Sequence, residues 1–420
     1  MASPESVAAP AAGVRAQRRR RRGGRPRVLT IVALWTTTWW LIIGLLLAPI
    51  VPGSWLAIAA AALVATMPVM VFARRFEGAY PSALVRLFVF RPFWYIQLAL
   101  PLTAIAGAIG FLLGAPFGVA ISAGRIALLG IAAALALVAA SGYAGSRMLR
   151  VRRLDARVND LPSSFEGMRI AHVSDLHVGP HTSRRFLARI SRALEDARPD
   201  LIAITGDQVD DHARDVEAFA TAFSNLSAPL GVFAIAGNHD VYAGWSGVRA
   251  GLERMGVTVL VNDAIEIHRG VDRIWVAGTG DPAGIGRPIE HGGDTAPDLN
   301  RTLARVPRSA FPRAPRGAFT IVLAHNPVLW PRLAERGVQL TLSGHTHHGQ
   351  LSIPRMKWSL ASLFLEHAMG SHERNGSLLY INPGTNYWGL PLRIGALPEV
   401  TIFTLRSARN EPPSIEPSEV

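Results

Sequence analysis

The chain has 420 residues, 49% of them hydrophobic, a formal net charge of +13 and no cysteine. That length leaves room for two or three domains, and the missing cysteines exclude disulfides, thiolate metal sites and cysteine nucleophiles. A charge of +13 suggests a nucleic-acid partner until it is divided along the chain. Residues 1–154 carry 17 arginines against Glu5 and Glu77, whereas residues 155–420 carry 26 basic residues, 28 acidic residues and all 13 histidines. The basicity belongs to the N-terminal region, and no nucleic acid is expected as a partner of the rest.

Residues 1–27 are Ala/Pro-rich, then Arg-rich, and too polar to fold alone. The 46 residues from Val28 to Ala73 hold no charge and are interrupted at Pro49–Gly53, enough for two spans of about 20 residues each. Two further charge-free runs, Pro92 to Gly124 and Ile126 to Ser146, give one span each. The expectation is a four-helix transmembrane region over 28–146. The first run is too long for a signal-peptide core, and nothing beyond the arginines supports twin-arginine export. Arginines are dense in the tail, absent from the turn at 49–54, dense at 74–91, single at Arg125 and dense again at 147–153. By the positive-inside rule this alternation places both termini, and the catalytic side, in the cytoplasm of a multi-pass cell-membrane protein. No acidic residue or histidine lies in any span, which argues against an ion-coupled transporter.

After a linker over 147–164, short β-rich runs alternate with amphipathic helices. Strands are expected at Met168–Ser174, Leu201–Thr205, Gly231–Ala236, Val257–Val261, Ile265–His268, Arg273–Ala277, Phe319–Ala324, Leu378–Ile381 and Val400–Leu405. Helices are expected at Ser183–Ala197, capped by Ser183, and at Val216–Leu226. Residues 281–316 read as a surface excursion and 407–420 as a disordered tail. Five apolar strands each run into a loop that opens with Asp, Asn or His, at Asp175, Asp207, Asn238, His325 and His345. Open α/β folds gather their sites at such strand ends. In Gly344-His345-Thr346-His347, two histidines spaced i, i+2 at a strand end project to one side, and imidazole is the commonest metal ligand. The pooled Asp, Asn and His side chains form a nitrogen and oxygen donor set suited to Mn, Fe or Zn.

These blocks, Asp175-x-His177, Gly206-Asp207, Gly237-Asn238-His239-Asp240, His325 and Gly344-His345-x-His347, resemble in kind and order those of the calcineurin-like metallophosphoesterase superfamily over residues 165–406. The tail from Asn382 through Leu390-Pro391-Leu392-Arg393 to Pro398-Glu399-Val400 is similar to its membrane-associated phosphohydrolase branch. The resemblance implies an α/β fold, a two-sheet β-sandwich flanked by helices, with two divalent metal ions between the strand ends. One ion would be held by Asp175, His177, Asp207 and His347, the other by Asp207, Asn238, His325 and His345. His239 would act as the catalytic acid at the leaving oxygen, with Asp240 orienting it.

Asp210 is expected to brace its loop, His348 to be solvated or near substrate, His172 to pack within its strand and His181 to lie at the surface. Asp281 resembles a family loop residue without an assigned role. Protein phosphatases of the superfamily follow the bridging aspartate with a phosphate-gripping arginine, and Asp211-His212 stands here instead. That departure favours a phosphodiesterase or a lipid- or nucleotide-type phosphohydrolase. The apolar stretch 353–369 either packs in the core or lies at a bilayer and admits a lipid tail, which makes a phospholipid or lipid-linked phosphoester the substrate reading. The alternative to an enzyme is a catalytically inactive metal-binding membrane scaffold or sensor, although no expected ligand is missing.

Overall fold

The computed structural model describes residues 30–31, 34–41, 43–44, 80–289, 292–307, 318–409 and 411–418. The chain divides into two compact units, Met1–Ala139 and Ala140–Val420. The first two spans expected within 28–73 lie almost wholly outside the described residues; only short helical stretches, such as residues 34–41, fall inside.

Two described helices are long and apolar enough to cross a membrane, Ala83–Phe117 and Ala120–Gly145. The first contains α1 (Arg91–Gly114), entered through a π-helical turn at Arg86–Phe90, so the apolar segment around Leu84 extends this span rather than forming another. The second is α2 (Ala120–Gly145). Small residues let the pair approach closely within the first unit: a Cβ added at Gly110 would stand 2.6 Å from both the Ala123 carbonyl oxygen and the Ala127 Cβ.

The second unit holds two mixed sheets with helices on their outer faces. In chain order its elements are β1 (Arg150–Val158), β2 (Arg169–Val173), α3 (Arg184–Ala197), β3 (Leu201–Ile204), α4 (Val216–Ala222), β4 (Val232–Ala234), α5 (Asn238–Arg254), β5 (Thr258–Val259), β6 (Asp263–Arg269) and β7 (Asp272–Gly278). There follow β8 (Thr320–Leu323), α6 (Trp330–Ala334), β9 (Leu340–Ser343), β10 (Ser352–Ile353), β11 (Trp358–Ser359), β12 (Gly370–Arg374), β13 (Ser377–Ile381), β14 (Glu399–Ser407) and β15 (Ser414–Pro417). One sheet runs β15-β1-β14-β2-β3-β4-β5, the other β12-β13-β9-β8-β7-β6, and β10-β11 form a separate hairpin.

The strands read as unbroken apolar runs because both faces of each sheet are covered. Ile170, Leu201, Ala203 and Phe233 point inward against Ile274, Val276, Ile321, Leu323, Leu340 and Leu342 of the opposite sheet. Their neighbours Ala171, Val173, Ile202 and Ile204 point outward against Phe186 and Ile190 of α3, Phe219 of α4 and Trp245 and Val248 of α5. Strands β2, β3 and β4 are mutually parallel, as are β8 and β9, so within each sheet these carboxyl ends share one edge. That edge carries the site.

Several boundaries differ from expectation. The supposed linker 147–164 contains β1, whose buried Leu154, Ala156 and Val158 alternate with charged residues that hide the strand in a charge count. The tail expected to be disordered contains β15, which pairs antiparallel with β1. Ser183 stands at the N-cap of α3, but its side chain makes no capping bond. Helix α4 stops at Ala222, and α5 was concealed by glycines that interrupt its apolar period, with Gly244 at φ 118°.

A buried polar contact ties the sheets together. Tyr380 on β13 and Thr401 on β14 both donate to the Glu399 carboxylate. Replacing Tyr380 by Phe deprives a buried carboxylate of one of two donors and is expected to cost about 1–3 kcal/mol, read as a lowered Tm of the purified protein in detergent.

Candidate metal centre

Three of the five strand ends, those at Asp175, Asp207 and His345, deliver their side chains through strained backbone. Asp175, His177, Asp207, His345, His347 and His348 all adopt positive φ, between 41° and 70°. A non-glycine residue there costs roughly 1–2 kcal/mol, and such outliers concentrate at functional sites. Two glycines make the crowding possible. A Cβ at Gly237 would run into Asp207, and one at Gly344 into Ser174 and Asp175.

Two groups of side chains converge. In the first, His347 Nε2 lies 3.2 Å from Asp175 Oδ1 and 3.0 Å from His177 Nε2, and His177 Nε2 lies 3.6 Å from Asp207 Oδ2. In the second, His325 Nε2 lies 3.4 Å from Asp207 Oδ2 and 3.1 Å from Asn238 Oδ1, which is 2.9 Å from His345 Nδ1. Asp207 therefore faces both groups through one oxygen. All seven side chains expected as metal ligands are gathered here, five of them in the two clusters Asp175-His177-His347 and Asp175-Asp207-His325, with Asn238 reached from His325 and His345 from Asn238.

The donor set fits divalent cations. Ligand atoms around one cation at about 2.0–2.2 Å stand roughly 3 Å apart, close to the separations seen. His325 Nδ1 lies 2.7 Å from the Thr205 carbonyl oxygen, to which its N–H donates, leaving Nε2 aimed at Asp207. Burial opposes the charged form of Asp175 and Asp207, yet the surrounding histidines hold both well below the usual carboxylate range. His345 and His347 are pushed down to about 4, chiefly by burial, and so are neutral and ligand-competent.

Four hydrogen bonds fix the Asp207 loop and the start of α5. The His239 N–H donates to Asp207 Oδ1 at 2.7 Å from the first turn of α5, where free N–H groups favour an anion. The Asp240 carboxylate accepts from the N–H groups of Asp207 at 2.8 Å, Val209 at 3.1 Å and Gly237 at 2.9 Å. Asp240 is thus turned toward backbone and does not orient His239, which corrects its expected role. Burial, with the Asp207 charge beside it, raises its pKa to about 7.

The carboxylate that does face His239 is Asp210. Its Oδ1 lies 3.4 Å from His239 Nδ1 and 3.5 Å from His177 Nδ1, and its carbonyl oxygen accepts from His239 Nδ1 at 3.1 Å. Although burial disfavours the imidazolium, the bond to Asp210 and the Asp207 charge raise the His239 pKa to about 9. His239 stands at the rim, with the rings of Trp388 and Tyr242 at 5.7 and 5.9 Å.

His172 packs within its strand as expected, with Nε2 2.8 Å from Thr205 Oγ1. His348 is buried, not solvated, and its Nε2 contacts the Ile381 carbonyl oxygen at 3.0 Å. Asp281 is buried and caps the Ala283 N–H. Sequence reasoning missed Arg393, buried with Nη1 on the carbonyl oxygens of Pro383 and Ala396 and Nη2 2.8 Å from His347 Nδ1. A guanidinium only donates, so this contact puts the proton of a neutral His347 on Nε2; a cation at Nε2 would need that proton moved to Nδ1 and the Arg393 Nη2 contact given up. The only sequence signal for Arg393 was its place in an otherwise apolar tail.

Replacing Asp240 by Ala strands three buried N–H donors, each worth about 1–3 kcal/mol, and is expected to abolish cooperative thermal unfolding. Asp210→Asn, at a half-buried rim position, is expected to keep the Tm within a few degrees while shifting the His239 imidazole resonances in NMR spectra of labelled protein.

Residues 168–349 match the family described as calcineurin-like phosphoesterase. The chain is 30% identical over 269 residues to a transmembrane protein with metallophosphoesterase domain from Danio rerio, covering 62% of this chain and 58% of that protein. It is 29% identical over 275 residues to an uncharacterized metallophosphoesterase from Aquifex aeolicus, covering 65% of this chain and 98% of that one. A further relative, the uncharacterized metallophosphoesterase YkuE of Bacillus subtilis, is 29% identical over 290 residues, with 67% and 95% covered. The match thus takes in nearly all of the two bacterial relatives but little more than half of the zebrafish protein. With the two mixed sheets, the flanking helices and the clustered metal donors, this shows that the chain carries a metallophosphoesterase domain of the calcineurin-like family.

Proposed function

We propose that the chain is a membrane-anchored, metal-dependent phosphohydrolase or phosphodiesterase with a dinuclear centre. The observation that carries this reading is the single buried carboxylate of Asp207, which faces His177 on one side and His325 on the other. Asp175, His177, Asp207 and His347 would hold one divalent cation, and Asp207, Asn238, His325 and His345 the second. Two cations so placed supply Lewis acidity toward phosphoryl oxygens and an acidified water for in-line attack.

The chain's own residues do the rest. Asp175 and Asp207 present fixed negative charge in a desolvated pocket, and His325 is fixed in one tautomer by the Thr205 carbonyl. His239, held in its charged form by Asp210, donates a proton to the leaving oxygen from the rim. Trp388 and Tyr242 flank that proton donor and give the leaving group an aromatic wall.

The membrane side of the proposal rests on the two apolar helices and on the arginine pattern. Four spans over 28–146, with the phosphoesterase domain at 165–406 in the cytoplasm, is the topology that pattern supports. A phospholipid or lipid-linked phosphoester is the substrate class that fits an anchored domain whose metal turn runs directly into an apolar stretch.

Purified protein reconstituted with Mn²⁺ is expected to hydrolyse bis-p-nitrophenyl phosphate. Asp207→Asn should bring both activity and bound metal, read by elemental analysis, to background. His239→Asn should retain the metal while turnover falls about 10²–10⁴-fold. Full metal content without hydrolysis of soluble or lipid phosphoesters would identify an inactive scaffold instead.

A further inference from the structure

The loop that follows the metal-binding turn is short, rigid and unusually apolar on its outside. Within residues 353–365, Ile353, Met356, Trp358, Leu360, Leu363 and Phe364 are all exposed, Met356 to 72% and Phe364 to 82%. This is not a floppy segment. The β10-β11 hairpin pairs Ser352 with Ser359 and Ile353 with Trp358, and a reciprocal capping box joins Ser359 to Ser362. Arg355 and Lys357, the chain's one lysine, lie exposed among the apolar side chains and pair with no acidic residue among the described residues. An ordered apolar tip studded with basic side chains is the make-up of a segment that sits in the headgroup region of a bilayer.

What fixes the occupant is where this loop is held. The charge-free part of α2, from Ile126 to Gly145, measures about 30 Å at about 1.5 Å per residue, so it just crosses a hydrocarbon core of about 30 Å. Gly142 and Gly145 then stand at the bilayer boundary. Within the second unit, the Arg393 N–H donates to the Gly142 carbonyl oxygen at 2.9 Å, and a Cβ at Gly142 would run into Leu392. The next residues, Ile394 and Gly395, bridge to Leu351, and the Ser352 N–H donates to the Ile394 carbonyl oxygen at 2.9 Å. Leu351 and Ser352 open directly into the apolar loop. A continuous hydrogen-bonded path therefore joins the point where the helix leaves the membrane to the base of the loop.

The geometry points to a lipid surface as the partner of residues 353–365: Met356, Trp358, Leu363 and Phe364 insert among acyl chains while Arg355 and Lys357 meet anionic headgroups. The inference rests on α2 crossing a membrane, and it deepens the lipid-facing reading of the metal centre. The Gln350 side chain, at the end of the metal turn, exchanges hydrogen bonds with the backbone of Trp388, the aromatic neighbour of His239. The mouth of the site is thus built from the same segments that touch the bilayer.

The absence of cysteine allows a clean test. Full-length Met356→Cys, Phe364→Cys and Val271→Cys, the last in the 99% exposed β6-β7 turn, would each carry a nitroxide in proteoliposomes of phosphatidylcholine and phosphatidylglycerol. Electron paramagnetic resonance power saturation then compares oxygen, which partitions into lipid, with a water-soluble nickel chelate. Labels at 356 and 364 are expected to favour oxygen over nickel severalfold more than the label at 271. Labels at 356 and 364 that match 271, in protein that resists extraction by alkaline carbonate, would overturn the inference while leaving the membrane reading intact. Immobilised labels shielded from both relaxants would mean that protein, not lipid, covers the loop, and would also overturn it. Release of the protein by carbonate would overturn the membrane reading itself, and the inference with it.

Discussion

Everything at the centre follows from placing three carboxylates, Asp175, Asp207 and Asp240, in one desolvated pocket. All three are buried, and the charge of Asp207 acts on both of the others or is acted on by them. Buried like charges are untenable unless something offsets them. Asp175 and Asp207 are offset by histidines, and by N–H groups at His345 and at the start of α5. Asp240 has three N–H donors but no imidazole in contact, and it is the one whose pKa rises toward neutrality. The pocket so formed has a standing demand for positive charge, and divalent cations meet it better than imidazolium because they leave the histidine lone pairs free to coordinate.

The backbone shows the same logic. A loop that only turns the chain would use glycine at positive φ, as Gly206 does. Here Asp175, Asp207, His345 and His347 take that conformation themselves, which is tolerable only because the two sheets behind them are close-packed and cannot relax. The sandwich core of Ile170, Phe233, Ile321 and Leu340 is the reason the strain persists, and the strain is the reason donors from loops more than a hundred residues apart in sequence can meet within hydrogen-bonding distance.

Much of this was legible in the sequence. Strand-end placement of Asp175, Asp207, Asn238, His325 and His345 could be read because parallel strands buried on both faces leave unbroken apolar runs, and the residue after each run declares itself by contrast. What could not be read was the direction of a side chain once the run had ended. Asp240 sits next to His239 in sequence, but in the first turn of α5 consecutive residues point about 100° apart, so the carboxylate turns inward to the Asp207 loop while the imidazole turns outward. Asp210 reaches His239 instead, from a different loop. His348 failed for the same reason: left-handed backbone at His347, His348 and Gly349 folds the ring back under Ile381 rather than into solvent. Strand β1 was hidden because its outward positions are charged, although Leu154, Ala156 and Val158 keep the period of two.

The segment from Asn382 to Ala396 was the least legible and does the most joining. It has almost no regular structure, yet Thr385 N–H donates to the Ser174 carbonyl oxygen, Asn386 N–H to that of Asp175, and the Asn386 side chain to that of Leu176. Such a loop has no ladder to satisfy its own carbonyls, so Arg393 is buried to serve those of Pro383, Asn386 and Ala396 at once. Having spent most of its donors on the loop, Arg393 gives the remaining contact to His347, and its backbone N–H goes to Gly142. One arginine thereby makes the fold of this loop, the seating of a metal-ligand candidate and the anchorage of the end of α2 a single structural condition.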